Sequence, residues 1–247
     1  MHYAQKRATV LILFFAGIGL LVSTGCGKAA YEDAMRNRVK TLAFASNFIE
    51  GLNAGTEVIE DRDGTIAEFR MPTAIKTDSR FTSRSKNRQG FAIDKRRIQP
   101  PGIKLPGFRY SYETFVDMGG RNNTHPVYAY FAAVPGSDPV AKVKNAIKKG
   151  GWQNVTLDTP DRQQLNFAKL SVTGTQEFEL SPNGGEIEKK PGKLEIYVHS
   201  TPAHHVIIGF RGTNEADEKV KLFDAVPFSL GTLQVMGGDE EGGSDES

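Results

Sequence analysis

Hydrophobic residues change their spacing several times along this chain of 247 residues, and each change marks a predicted element. Val10 to Val22 contain only Val, Leu, Ile, Phe, Ala and Gly. From Tyr31 to Leu52 the rhythm becomes helical. Val39, Leu42, Ala45, Phe48, Ile49 and Leu52 recur at three- and four-residue steps, which puts them on one stripe, and Gly51 and Gly55 bracket the end. This helix has two destinations, its own domain or a membrane surface. Thr56–Glu60 and Thr65–Arg70 then flank Asp61-Arg62-Asp63-Gly64, a hairpin signal because Asp-Gly suits a tight turn between β-rich runs.

Met71 to Pro106 shows little periodicity and holds Pro72, Pro100, Pro101 and Pro106, so a long loop or insertion is predicted there. Alternation of aromatic and polar residues returns in Phe108–Val116, and His125–Val134 reads as its partner strand. A helix is expected from Pro139, with Asp138 as its cap and Val140, Val143, Ala146 and Ile147 as its apolar face. Trp152–Leu157, Leu165–Val172, Thr175–Leu180, Leu194–His199 and His205–Phe210 read as strands. Thr213-Asn214-Glu215 opens a helix over Ala216–Val226, and Phe228–Val235 closes the domain. The expected class is α+β: a mainly antiparallel sheet flanked by two or three helices, preceded by the N-terminal helix. The domain is placed at 56–236, with a loop at 72–107.

The late segment has a recognisable order. Lys193-Leu194-Glu195-Ile196-Tyr197-Val198 and Val206-Ile207-Ile208-Gly209-Phe210-Arg211 lead into a helix with Lys219-Val220-Lys221-Leu222-Phe223, then Val226-Pro227-Phe228-Ser229-Leu230-Gly231. Residues 108–235 thereby resemble the PsbP/Mog1-type α/β/α sandwich. That resemblance implies a fold and a non-enzymatic accessory or binding role; the cofactor role of the family's photosynthetic members has no residue-level basis in this sequence, and no cofactor is assigned.

The N-terminal pattern states an address. Lys6 and Arg7 precede the apolar run, and Ser23-Thr24-Gly25 precede Cys26, the only cysteine in the chain. This is the order of a secretory signal. Thirteen residues at about 1.5 Å each span roughly 20 Å, short of the ~30 Å hydrocarbon core. Leu21-Val22-Ser23-Thr24-Gly25-Cys26 resembles the lipobox of bacterial lipoproteins, with Gly25 as the small residue and Ser23 where leucine is commonest. The resemblance implies cleavage of residues 1–25, acyl chains on Cys26, and anchorage to a membrane. Gly27 after the cysteine implies an outer membrane facing the periplasm in a host that has one. Residues 26–55 then form the lipidated cysteine and the N-terminal helix. A lone cysteine permits no internal disulfide.

Charge is polarised. Loss of residues 1–25 removes two of 31 basic residues and none of 29 acidic ones, which leaves 29 against 29. Residues 237–247 hold Asp239, Glu240, Glu241, Asp245 and Glu246 and no base, a composition that predicts a disordered acidic tail. Between Lys76 and Arg109 ten basic residues meet Asp78 and Asp94 alone, an excess of +8. Arg84, Lys86, Arg88, Lys95, Arg96 and Arg97 in that stretch are the candidate contacts for an envelope protein or an anionic polymer. An exported, tethered chain makes nucleic acid an unsuitable partner.

Candidate chemistry is sparse. There is no G-x-S-x-G elbow, P-loop or dinucleotide fingerprint, and no catalytic set is assigned. His199, His204 and His205 would gather at one hairpin end but lack metal-ligand spacing, so no metal is assigned. Asp61-Arg62-Asp63-Gly64 echoes a calcium loop, yet Pro72 stands where the twelfth-position Glu belongs. The alternative site is aromatic. On period two, Phe108, Tyr110 and Tyr112 share a face, as do Tyr128 and Tyr130, and such a face could line a groove for a small ligand or glycan or simply pack in the core.

Overall fold

The computed structural model describes residues 31–61, 64–78, 80–82, 85, 95–120, 123–181 and 187–236. Cys26, the signal-like segment, Arg84, Lys86, Arg88 and the acidic tail lie outside the described residues, as do Arg62 and Asp63 of the hairpin turn. The chain divides into two compact units after Ser46. Of the first unit, residues 31–46 are described, and they are helical; the helix, α1, is assigned over 31–50. Among the described residues no helix is long and apolar enough to cross a membrane.

The second unit is α+β and built on antiparallel pairing. The expected hairpin is present: β1 (Leu52–Asp61) pairs with β2 (Gly64–Pro72), Val58 opposite Glu68, and Gly64 at φ 130 supplies the turn conformation that a side chain would disfavour. A short β10 (Gln234–Val235) joins the other edge of β2. The larger sheet has seven strands. These are β3 (Arg80–Phe81), β4 (Phe108–Asp117), β5 (Thr124–Pro135), β6 (Trp152–Asp158), β7 (Gln164–Glu179), β8 (Ile187–Ser200) and β9 (His204–Thr213), in the spatial order β3-β4-β5-β9-β8-β7-β6. Among the described residues four helices accompany them: α2 (Lys95–Ile98), α3 (Val140–Ile147), α4 (Asn214–Val220) and α5 (Leu222–Gly231).

Both faces of the seven-stranded sheet are covered, which explains why its central strands read as near-continuous apolar runs. One face packs Tyr110, Tyr112, Phe131, Ile208 and Phe210 against Phe69 and Met71 of β2 and Val226 and Leu230 of α5. The other packs Tyr128, Tyr130, Ile196 and Ile207 against Val143 and Ile147 of α3 and Leu105. Burying each such large side chain contributes about 1.5–3 kcal/mol.

The structure redraws four expected details. Leu165–Val172 and Thr175–Leu180 are not separate strands: β7 runs through both, and Gly174, at φ 130, stays in register opposite Gly192. The helix expected over Ala216–Val226 breaks at Lys221, whose left-handed φ of 53 separates α4 from α5. Thr213 caps α4 by accepting the Ala216 N–H at 3.1 Å. Asp138 does not cap α3; its carboxylate takes the Lys142 ammonium at 2.9 Å instead, and Pro139 holds the cap position. The described residues of 72–107 are not a plain loop: they bury Ile75, Ile98 and Leu105 and include β3 and α2.

Candidate functional site

The pairing register brings a row of polar side chains onto one face of the large sheet. Glu113 of β4 lies opposite Tyr128 of β5, which lies opposite Arg211 of β9. The neighbouring row is Ser111, Tyr130 and Gly209. Residues two apart on a strand share a face, so Glu113, Ser111, Tyr128, Tyr130 and Arg211 form one patch. All five are buried.

The helix α2 seals this patch. Ser111 donates its hydroxyl to the Arg97 carbonyl at 2.9 Å, and Arg97 Nε donates to Glu113 Oε2 at 2.7 Å. A second guanidinium nitrogen of Arg97 contacts the same carboxylate oxygen. The Arg97 guanidinium also lies over Phe81, 5.2 Å from the ring centre, and thereby touches β3. One arginine thus ties the basic segment to the sheet.

On the far side of the patch Arg211 is completely buried. Its Nε donates to Gln176 Oε1 at 2.9 Å, and another guanidinium nitrogen donates to the Glu177 carbonyl. The guanidinium lies between Phe178, 4.1 Å away, and Tyr128, 5.3 Å away, so ring faces replace part of its lost hydration. Tyr128 and Tyr130 stack at 5.9 Å with planes 17° apart.

Satisfaction within the patch is incomplete. Glu113 Oε1, Tyr130 Oη and Arg211 Nη1 are buried and meet no hydrogen-bond partner. Burial pushes the Glu113 carboxyl above the usual glutamate range, more than the Arg97 charge and the nearby Tyr128 hydroxyl pull it down. Burial also raises both phenols: Tyr130 to about 12, opposed by the neighbouring Arg211 charge, and Tyr128 with Glu113 adding to the rise. A free carboxylate oxygen, a phenol and a guanidinium N–H can together hold a small polar group or ordered water. None of these groups forms a nucleophile–base pair.

The tyrosines proposed for an aromatic groove divide between the two faces. Tyr110 and Tyr112 belong to the cluster facing β2, while Tyr128 and Tyr130 belong to the one facing α3. Tyr110 donates to the Val58 carbonyl at 2.7 Å and Tyr112 to Glu57 Oε1 at 2.9 Å. A register shift between Phe108 and Tyr110 places Phe108 on the α3 side instead, which breaks the period-two grouping of Phe108 with Tyr110 and Tyr112. All four tyrosines are buried, so together they do not form an open groove.

Among the other sequence candidates, Lys95 and Arg96 open α2, and Arg97 is committed to Glu113. Lys76, Arg80 and Lys104 of the same segment are exposed, and Arg80 lies 3.8 Å over the Tyr110 ring. His205 uses both ring nitrogens, on Ser200 Oγ at 2.8 Å and the Asp138 carbonyl at 2.6 Å, while His199 contacts the Asn166 carbonyl at 2.9 Å. Among the described residues no group of three or more His, Cys, Asp or Glu side chains is placed to hold a metal ion. Sequence reasoning passed over Glu113 and Arg211. The available signal was a charge at an inward position of an apolar strand, but strands buried on both faces conceal which positions are inward.

Compared with protein-family models, with curated proteins and with solved structures, the chain has no match.

Proposed function

We propose that this is a lipid-anchored, non-catalytic accessory protein of a cell envelope, tethered through acyl chains on Cys26, that binds another envelope component through its basic segment 72–107. One observation carries the binding part. The segment is fixed to the domain by Arg97 on the buried Glu113 and by the buried Ile75, Ile98 and Leu105, and from that frame Lys76, Arg80 and Lys104 stand exposed. Cations held on a fixed frame lose less conformational freedom on docking than those of a free loop. The lipobox-like end of the signal supports the tether, and the excess of +8 over residues 76–109 supports an acidic partner surface. The sequence resemblance of residues 108–235 to the PsbP/Mog1-type sandwich supports an accessory role, and outer-membrane placement facing the periplasm belongs to the same reading.

Two experiments test it. Mass spectrometry of the protein purified from membranes should find an N-terminal peptide that starts at a diacylglyceryl-modified Cys26. Capture of a partner by the native protein should weaken steeply between about 50 and 200 mM salt, because the Debye length shrinks across that range. An unmodified cysteine would remove the tether. Salt-insensitive capture would remove the electrostatic contact.

A further inference from the structure

The N-terminal helix carries apolar side chains on two faces, and only one of them is covered. Phe48 is buried and meets Phe228 edge-on at 5.4 Å. Tyr31, Met35, Val39 and Leu42 are exposed by 66, 44, 61 and 61%. At about 100° per residue these four fall within an arc of about 80°, with Arg36, Lys40 and Asp33 on the far side. Four neighbouring large apolar side chains in water mark a contact surface.

The tether identifies what covers it. Residues 27–30 alone separate Cys26 from Tyr31. Five steps of at most about 3.6 Å reach no further than ~18 Å, whatever course those residues take. If Cys26 carries acyl chains, the first turn of the helix therefore cannot leave the neighbourhood of the headgroups. An amphipathic helix in that zone sinks its apolar face about 5–10 Å into the boundary, and a tyrosine suits the headgroup level. Across residues 31–46, Arg36, Arg38 and Lys40 stand against Glu32 and Asp33, a balance of 3 − 2 = +1 that suits anionic lipid.

We infer that the stripe Tyr31, Met35, Val39 and Leu42 lies in the interfacial zone of the same bilayer that holds the acyl chains of Cys26, so that the protein meets its membrane through a helix as well as through lipid. This rests on the proposed acylation. The test uses the processed, membrane-purified protein in vesicles of phosphatidylethanolamine and phosphatidylglycerol. An acylated Cys26 has no free thiol, so Leu42→Cys and, on the polar face, Lys40→Cys each offer a single labelling site. Both positions are exposed, and neither substitution disturbs the core. An environment-sensitive fluorophore at Leu42→Cys should be blue-shifted and quenched at least threefold more by lipid-borne nitroxide than the same label at Lys40→Cys. Equal, water-like signals at the two positions would overturn the inference. So would a blue-shifted Leu42→Cys label that lipid-borne nitroxide does not quench, since that result puts a second copy or another protein on the stripe. If the parent protein itself takes up thiol label, Cys26 is free, and the underlying tether fails in a way distinct from either helix result.

Discussion

Glu113 and Glu195 are both buried glutamates on the same seven-stranded sheet, yet their surroundings differ in kind. Glu195 receives the Lys169 ammonium at 2.6 Å, the Lys193 ammonium at 2.9 Å and the Tyr197 hydroxyl at 2.6 Å. Burial alone would raise its pKa, but these three donors overcome that and hold it below the usual glutamate range. Glu113 has a single cationic partner on one oxygen, and its other oxygen meets no hydrogen-bond donor. There burial prevails and the pKa rises. The carboxylate of Glu195 is a structural rivet. The one at Glu113 anchors the Arg97 end of the basic segment at the cost of an unsatisfied group, as residues that serve positioning commonly do.

The comparison predicts an ordered set of effects. Glu195→Ala strips three donors at once and should cost roughly 2–4 kcal/mol in chemical denaturation at neutral pH, below the full buried-pair penalty because both lysines can reach water. Arg97→Ala leaves Glu113 as a buried charge without its cation and should cost about 1–3 kcal/mol at pH 7, shrinking toward pH 4 as the carboxyl takes up a proton.

The two glutamates should also respond to pH with opposite sign. Glu195, lowered in the fold, stabilises above the unfolded glutamate value of about 4.3 and loses that contribution as pH falls through its lowered folded value. Glu113, raised in the fold, costs stability as pH rises from about 4.3 up to its raised folded value. Glu195→Gln should therefore fall furthest behind the parent at neutral pH, whereas Glu113→Gln should gain on the parent between pH 4 and 7. Melting temperatures across that range read both curves, and parallel curves would erase the distinction. The smallest contrast is between phenols. Tyr197→Phe removes a used hydroxyl and should cost about 1 kcal/mol, while Tyr130→Phe removes an unpartnered one and should be neutral or stabilising by up to about 1 kcal/mol.

Legibility from sequence followed the same physical divide. The hairpin at Asp61–Gly64, the strands of Phe108–Val116 and His125–Val134, and the helix after Pro139 were readable because turn chemistry and spacing are local signals. The merger of two runs into β7 was not, since a glycine can end a strand or sit within one. The site was harder still. Arg97 reads as one cation among ten, and only the pairing of Ser111 with Tyr130 and of Glu113 with Tyr128 shows that a buried carboxylate waits for it. The split of the tyrosines hinged on one register shift near Phe108, which no alternation pattern announces.

Crosslinking in native membranes, comparing the parent protein with an Arg84→Ala/Lys86→Ala/Arg88→Ala variant, tests the central claim most directly. The account predicts a discrete partner band for the parent and at least a fivefold loss of that band in the variant. Equal capture by both proteins would contradict binding through the basic segment.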